Sequence, residues 1–210
     1  MKIPRDRVNR TYLLLFGYYA ILALLLWPEP SYYGLLRYGT VPTLFSSLPY
    51  VGPLGVLAAA LYLGSYEEPP TAGVILLSRM GLRIATLLAL LTPYVTLAFS
   101  VAGASADRGF LLFLPTAGWA ILLYALGLLS ARFVRFPTLR HFLAWSGGAA
   151  LIGVTGYYLP RANPFSATAA AAGVGTVWIS GSEPFSLLPA VVLPLIGGGI
   201  ITAVVVRWKR

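Results

Sequence analysis

The sharpest polar feature of the sequence is the acid pair Glu67-Glu68, followed at short distance by Arg79 and Arg83. Acids are out of place there, because the surrounding connections are basic. Two readings stand side by side. The pair can be a solvated turn whose negative charge favours the amino end of a following helix. It can also be a docking element for a cytoplasmic protein, with Glu67, Glu68, Arg79 and Arg83 supplying polar contacts around a small apolar plug. Other chemistry is poorly supplied. One histidine (His141), six acids and no cysteine leave no ligand set for a metal centre and no thiolate, so neither metal nor cofactor is expected. Asp6 and Asp107 fall on opposite sides of the pattern described below, which removes a paired-aspartate magnesium site of the kind used on diphosphates. Ser78, Ser130 and Ser146 have no His or Lys at a useful spacing and suggest no nucleophile. The chain is not expected to be an enzyme.

The elements that carry these residues are hydrophobic. Of the 210 residues 58% are hydrophobic, and six apolar segments stand out at residues 12–27, 47–64, 82–104, 110–131, 141–159 and 185–206. Each approaches the ~20 residues needed to cross a ~30 Å hydrocarbon core, and none holds an acid. The first is long enough to be a retained span and lacks a small-residue cleavage site. Ionisable groups occur only at the mouths of these segments, which disfavours an ion or proton relay.

Sidedness follows from the connections. Lys2, Arg5, Arg7, Arg10, Arg79, Arg83, Arg132, Arg135, Arg140, Arg207, Lys209 and Arg210 share one side, against Arg37, Arg108 and Arg161 on the other. Positive residues are retained in the cytoplasm, so both termini are expected there, in the plasma membrane of the cell. The net charge of +9 flanks apolar spans and is not gathered on a soluble module, so anionic membrane lipid, and not nucleic acid, is the expected partner.

The predicted fold is therefore all-α: one polytopic domain over residues 1–210 with six transmembrane helices and both ends inside. A basic interfacial lead-in occupies residues 1–11. A cytoplasmic coupling loop at 67–81 holds a short helix over 71–80, which Thr71 can cap. An outer loop at 160–184 holds a short re-entrant or surface helix, protected by protein because irregular backbone is not tolerated against lipid. Pro93 and Pro115 should kink their spans. Gly153 and Gly156 in the fifth segment and Gly197 and Gly198 in the sixth allow close helix approach, either within one subunit or at a dimer seam.

In the order Glu67-Glu68, Thr71, Gly73, Leu76-Leu77-Ser78-Arg79 and Arg83, the loop resembles that of the membrane subunits of type-two ATP-binding-cassette exporters. Asn163-Pro164-Phe165, ahead of the small apolar stretch that follows, is similar to the family's outward helices between spans five and six. The sequence departs from the family at Pro69-Pro70 and in its brief lead-in. The resemblance implies a permease subunit that pairs with itself or a sister permease and is driven by a separate ATPase subunit docking at Glu67, Glu68, Thr71, Gly73, Leu77, Arg79 and Arg83. Such a permease would carry a hydrophobic or amphipathic cargo. No Gly-rich phosphate loop is present. The competing expectation is a structural or anchoring subunit of a larger respiratory or secretory membrane complex.

Overall fold

A computed structural model describes residues 5–26, 43–67, 73–102, 106–172 and 188–207, and these are almost wholly helical. In chain order they form α1 (Arg5–Leu25), α2 (Thr43–Tyr66), α3 (Gly73–Ala102), α4 (Ala106–Phe133), α5 (Pro137–Tyr158), a single 3-10 turn (Pro160–Ala162), α6 (Pro164–Ala172) and α7 (Leu188–Arg207). Five of them, α1, α2, α3, α4 and α7, are long and apolar enough to cross a membrane. The fifth segment, α5, has the length, at 22 residues, but falls short of the others in hydropathy. Outward surfaces are as apolar as the core: Leu14, Leu24 and Val74 are each more than 70% exposed, and Phe142, Tyr157, Leu193 and Ile196 also face out. Water would penalise such a surface and lipid does not, so the chain is a membrane-embedded all-α protein.

Helix α4 is the axis of the bundle, with α2 on one flank and α7 on the other. Glycine makes both crossings possible. A Cβ on Gly127 would lie 2.5 Å from the Leu61 carbonyl and 2.6 Å from the Ser65 amide nitrogen, and one on Gly64 would fall onto the Tyr124 carbonyl. The backbones of α2 and α4 therefore touch, as small residues permit in lipid. Gly198 repeats the device between α7 and α4, where a Cβ would meet Ile121 Cγ2 at 2.9 Å and the Leu122 backbone at 3.2 Å. Trp119, Tyr124, Leu57 and Leu87 lie fully buried between these helices.

One sequence expectation is corrected here. Residues 73–80 do not form a separate short helix, because α3 runs unbroken from Gly73 to Ala102. The reason is its buried stripe: Leu76, Met80, Ile84, Leu87 and Leu91 follow one another at helical spacing straight past Gly81, which stands in open space. The packing of that stripe outweighs the ~1 kcal/mol a glycine costs inside a helix. From Arg5 onward the lead-in is helical and continuous with α1. Both Pro93 and Pro115 lie inside continuous helices.

Helix α6 falls where the sequence suggested a short helix, and it is enclosed by protein. Ala167, Thr168 and Ala169 are fully buried against α2 and α4. Its amino end is capped by Asn163, whose Oδ1 accepts from the amides of Phe165 (3.0 Å) and Ser166 (3.4 Å) while its Nδ2 donates to the Ile152 carbonyl at 2.9 Å. Pro53 has no amide to offer the Pro49 carbonyl four residues back. The Thr168 hydroxyl reaches that carbonyl at 2.8 Å, so α6 supplies the hydrogen bond that α2 lacks. The remainder of the small apolar stretch, from residue 173, lies outside the described residues.

Candidate functional site

The starts of α1, α3 and α5 and the ends of α2, α4 and α7 gather at one basic pole. Arg7 of α1 lies over the Tyr66 ring at the end of α2, and Gly73 of α3 meets Val206 near the end of α7. Between them sits a buried ion pair. Glu67, the residue after α2, is 2% exposed, and its Oε2 accepts from Arg83 Nη1 at 2.7 Å and from the hydroxyl of Tyr124. Arg83 Nη1 also reaches the Tyr124 hydroxyl at 2.6 Å, closing a triangle across α2, α3 and α4. Among the described residues Glu67 Oε1 has no hydrogen bond, and the cation that faces it is Arg79 Nη1 at 3.9 Å. The carboxylate is thus held hard on one oxygen and loosely on the other.

A second layer packs beside this triangle. The Ser65 hydroxyl donates to the Tyr62 carbonyl at 2.8 Å, which leaves its oxygen free to accept from Nδ1 of His141 at 3.0 Å. The His141 ring lies 4.3 Å from that of Tyr66. Arg140 donates to the Val134 carbonyl through Nε and Nη2, both at 3.1 Å, and to the Ser65 carbonyl at 3.3 Å. The Ser65 carbonyl near the end of α2 and the Val134 carbonyl just past the end of α4 are in this way covered by one cation, the favourable partner for that end of a helix.

Burial pushes the Glu67 carboxyl above its usual 4.5, with Arg83 and then Arg79 pulling the other way. A carboxyl raised in the folded state binds its proton more tightly there than in the unfolded chain. Its contribution to stability is then fully present below the unfolded value and is lost as pH rises through the folded one. Above pH 4.5 Glu67 should therefore contribute a fall in stability as pH rises, and Glu67→Gln should remove that component from thermal unfolding series. A slope of opposite sign, removed by the same substitution, would contradict this account.

No family model, characterised protein or solved structure matches this chain. Its role must therefore be read from where its residues stand. Glu67 and Arg83 face inward and bind each other, while Gly73 lies against Val206. Leu77 is 51% exposed and Arg79 partly so, and these two are open to a partner. Glu68 and Thr71 lie outside the described residues. Among the packing glycines, Gly198 and Gly197 face α4, Gly156 is buried, and Gly153 has nothing near the position of a Cβ. No group of three or more His, Cys, Asp or Glu side chains comes together among the described residues. Sequence reasoning missed Tyr124, Ser65 and His141 as partners at this pole. Tyr124 had a signal: besides Trp119 it is the one side chain with a polar atom in the run from Trp119 to Leu129.

Proposed function

We propose that the chain is the six-span permease subunit of an ATP-driven transporter, with its basic pole in the cytoplasm and a separate ATP-binding-cassette ATPase pressing on the start of α3. The observation that carries this reading is the form of α3. Its 30 residues make a rod about 45 Å long, well beyond the ~30 Å of hydrocarbon. The first turns present Val74, Ile75, Leu77 and Ser78 outward, an apolar plug beside the cation of Arg79. Behind this plug, Arg83 ties α3 to Glu67 at the end of α2 and to Tyr124 of α4. A push on the plug is therefore passed directly to the two central helices, and no hinged coupling helix is needed. The apolar interior suits a hydrophobic or amphipathic cargo better than a small ion, and the assembled permease would contain a second copy or a sister subunit.

One feature favours the alternative, an anchoring subunit of a larger membrane complex: Glu67 and Arg83 satisfy each other and offer nothing outward. Purification from native membranes separates the two. With Val74→Asp and Leu77→Asp together, the permease reading expects loss of a co-purifying ATPase while the bundle keeps its thermal stability. An unchanged partner set, or a stable complex containing no nucleotide-binding subunit, would overturn it.

A further inference from the structure

A cavity of about 660 Å³ opens between α1, α2 and α5 at the basic pole. This volume lies within the ~300–1,000 Å³ usual for small-molecule sites. Its α1 wall is built from Arg7, Thr11, Leu14 and Tyr18, one face of the helix at spacings of four, three and four. The eleven helical rises from Arg7 to Tyr18 make it about 16 Å long, which is close to half the hydrocarbon thickness and so to one leaflet. The floor is low because α2 contributes Gly55, Ala58 and Ala59, and Trp145 of α5 closes the far side.

The pinch at the deep end has a definite cause. A Cβ on Gly55 would strike Leu15 and Tyr18 at 2.8 Å, so α1 and α2 touch there, and Tyr18 seals the junction through its hydroxyl on the Val51 carbonyl at 3.0 Å. At the shallow end stand Arg7 and Arg10, both exposed, and among the described residues neither forms a salt bridge. Arg7 is held in place by the Tyr66 ring, 4.7 Å below it, which positions the guanidinium without neutralising it. Asp6 is the nearest acid in sequence; it is exposed and does not line the cavity.

A slot that is apolar for one leaflet's depth and ends in two unneutralised guanidinium groups has the charge pattern of one kind of molecule. We infer that it is a binding site for an anionic phospholipid of the leaflet on the side of the basic pole, its phosphate on Arg7 and Arg10 and an acyl chain along Leu14, Leu54 and Ala58. Guanidinium forks match phosphate oxygens, and of the hydroxyls on the lining those of Thr11 and Tyr18 already donate to the carbonyls of Arg7 (2.9 Å) and Val51 (3.0 Å), with Tyr62 standing at the wide end. The site goes beyond the transport reading and does not depend on it, since either a permease or an anchoring subunit could hold such a lipid.

Native mass spectrometry of the full chain in detergent, titrated with dioleoyl phosphatidylglycerol or dioleoyl phosphatidylcholine, tests it. The wild-type chain should retain the anionic lipid on the order of tenfold better, as two cations near the headgroup imply. Arg7→Gln with Arg10→Gln should remove that preference, and Arg7→Lys with Arg10→Lys should keep much of it. Ala58→Leu, which fills the slot from a position already facing lipid, should lower retention of both lipids and leave the helical circular dichroism unchanged. Equal retention of the two lipids by the wild-type chain, or full retention by Ala58→Leu, would overturn the inference. So would complete displacement of the lipid by millimolar inorganic phosphate, which would show that the arginines bind a free anion and the slot does not hold a chain.

Discussion

Replacing Arg83 with methionine is expected to lower the stability of the bundle by about 3–5 kcal/mol, because it strands a carboxylate that is 2% exposed. Three charged or polar groups face Glu67, and their contributions are unequal. Arg83 gives the 2.7 Å hydrogen bond and is itself only 14% exposed, so its attraction is little screened. Arg79 stands 3.9 Å away and is 40% exposed, so solvent screens it and it recovers only a part of the loss. Tyr124 still donates a neutral hydrogen bond. Adding Glu67→Gln to Arg83→Met removes the stranded charge, and the double variant should recover most of the stability. Thermal unfolding of the detergent-solubilised chain reads all three, with Arg135→Met, at an exposed position, as the control. If Arg83→Met costs no more than that control, the ion pair does not hold the pole together.

Gly64→Ala and Gly127→Ala form the second large expectation. Each should destabilise by about 1–3 kcal/mol or more, since the added carbon meets backbone, which cannot swing aside as a side chain can. The two helices must part, and with them the Glu67 triangle that spans the same crossing. Gly153→Ala is the contrast. With open space around it, the change should be neutral or stabilising by up to about 1 kcal/mol through helix propensity alone. Parallel unfolding curves of the three variants suffice, and equal effects at Gly64 and Gly153 would refute the close approach. Should Gly153→Ala instead weaken self-association, the open face at that position would be where a second copy rests.

Apolar run length and the placement of arginines made the long helices legible, because lipid imposes those two patterns on any chain that crosses it. Their ends were less so. The sequence reading cut α3 at Gly81 and gave its first turns to a separate helix, since charge and a glycine there look like a boundary. What decided otherwise was the stripe through Leu76, Met80 and Ile84, whose value depends on neighbours that a linear reading does not supply. The same limit applied to the acids. Glu67 was recognised as unusual, but neither a solvated turn nor a docking contact describes it, because its partners Arg83 and Tyr124 are 16 and 57 residues away. The glycines divide: of those noticed in the fifth and sixth segments Gly198 does mark a close backbone approach, while the single glycines at 64, 118 and 127, which drew no notice, mark others.

The nine residues of α6 fix an order of assembly. At about 14 Å the helix is too short to be threaded across a bilayer as a unit. Left beside acyl chains, its frayed ends would hold bare peptide groups. It finds cover only in the cleft between α2 and α4, where Thr168 meets Pro49. That cleft does not exist until the two central helices have closed on each other. The segment is therefore a keystone: it can take its place no earlier than the α2–α4 joint that shelters it.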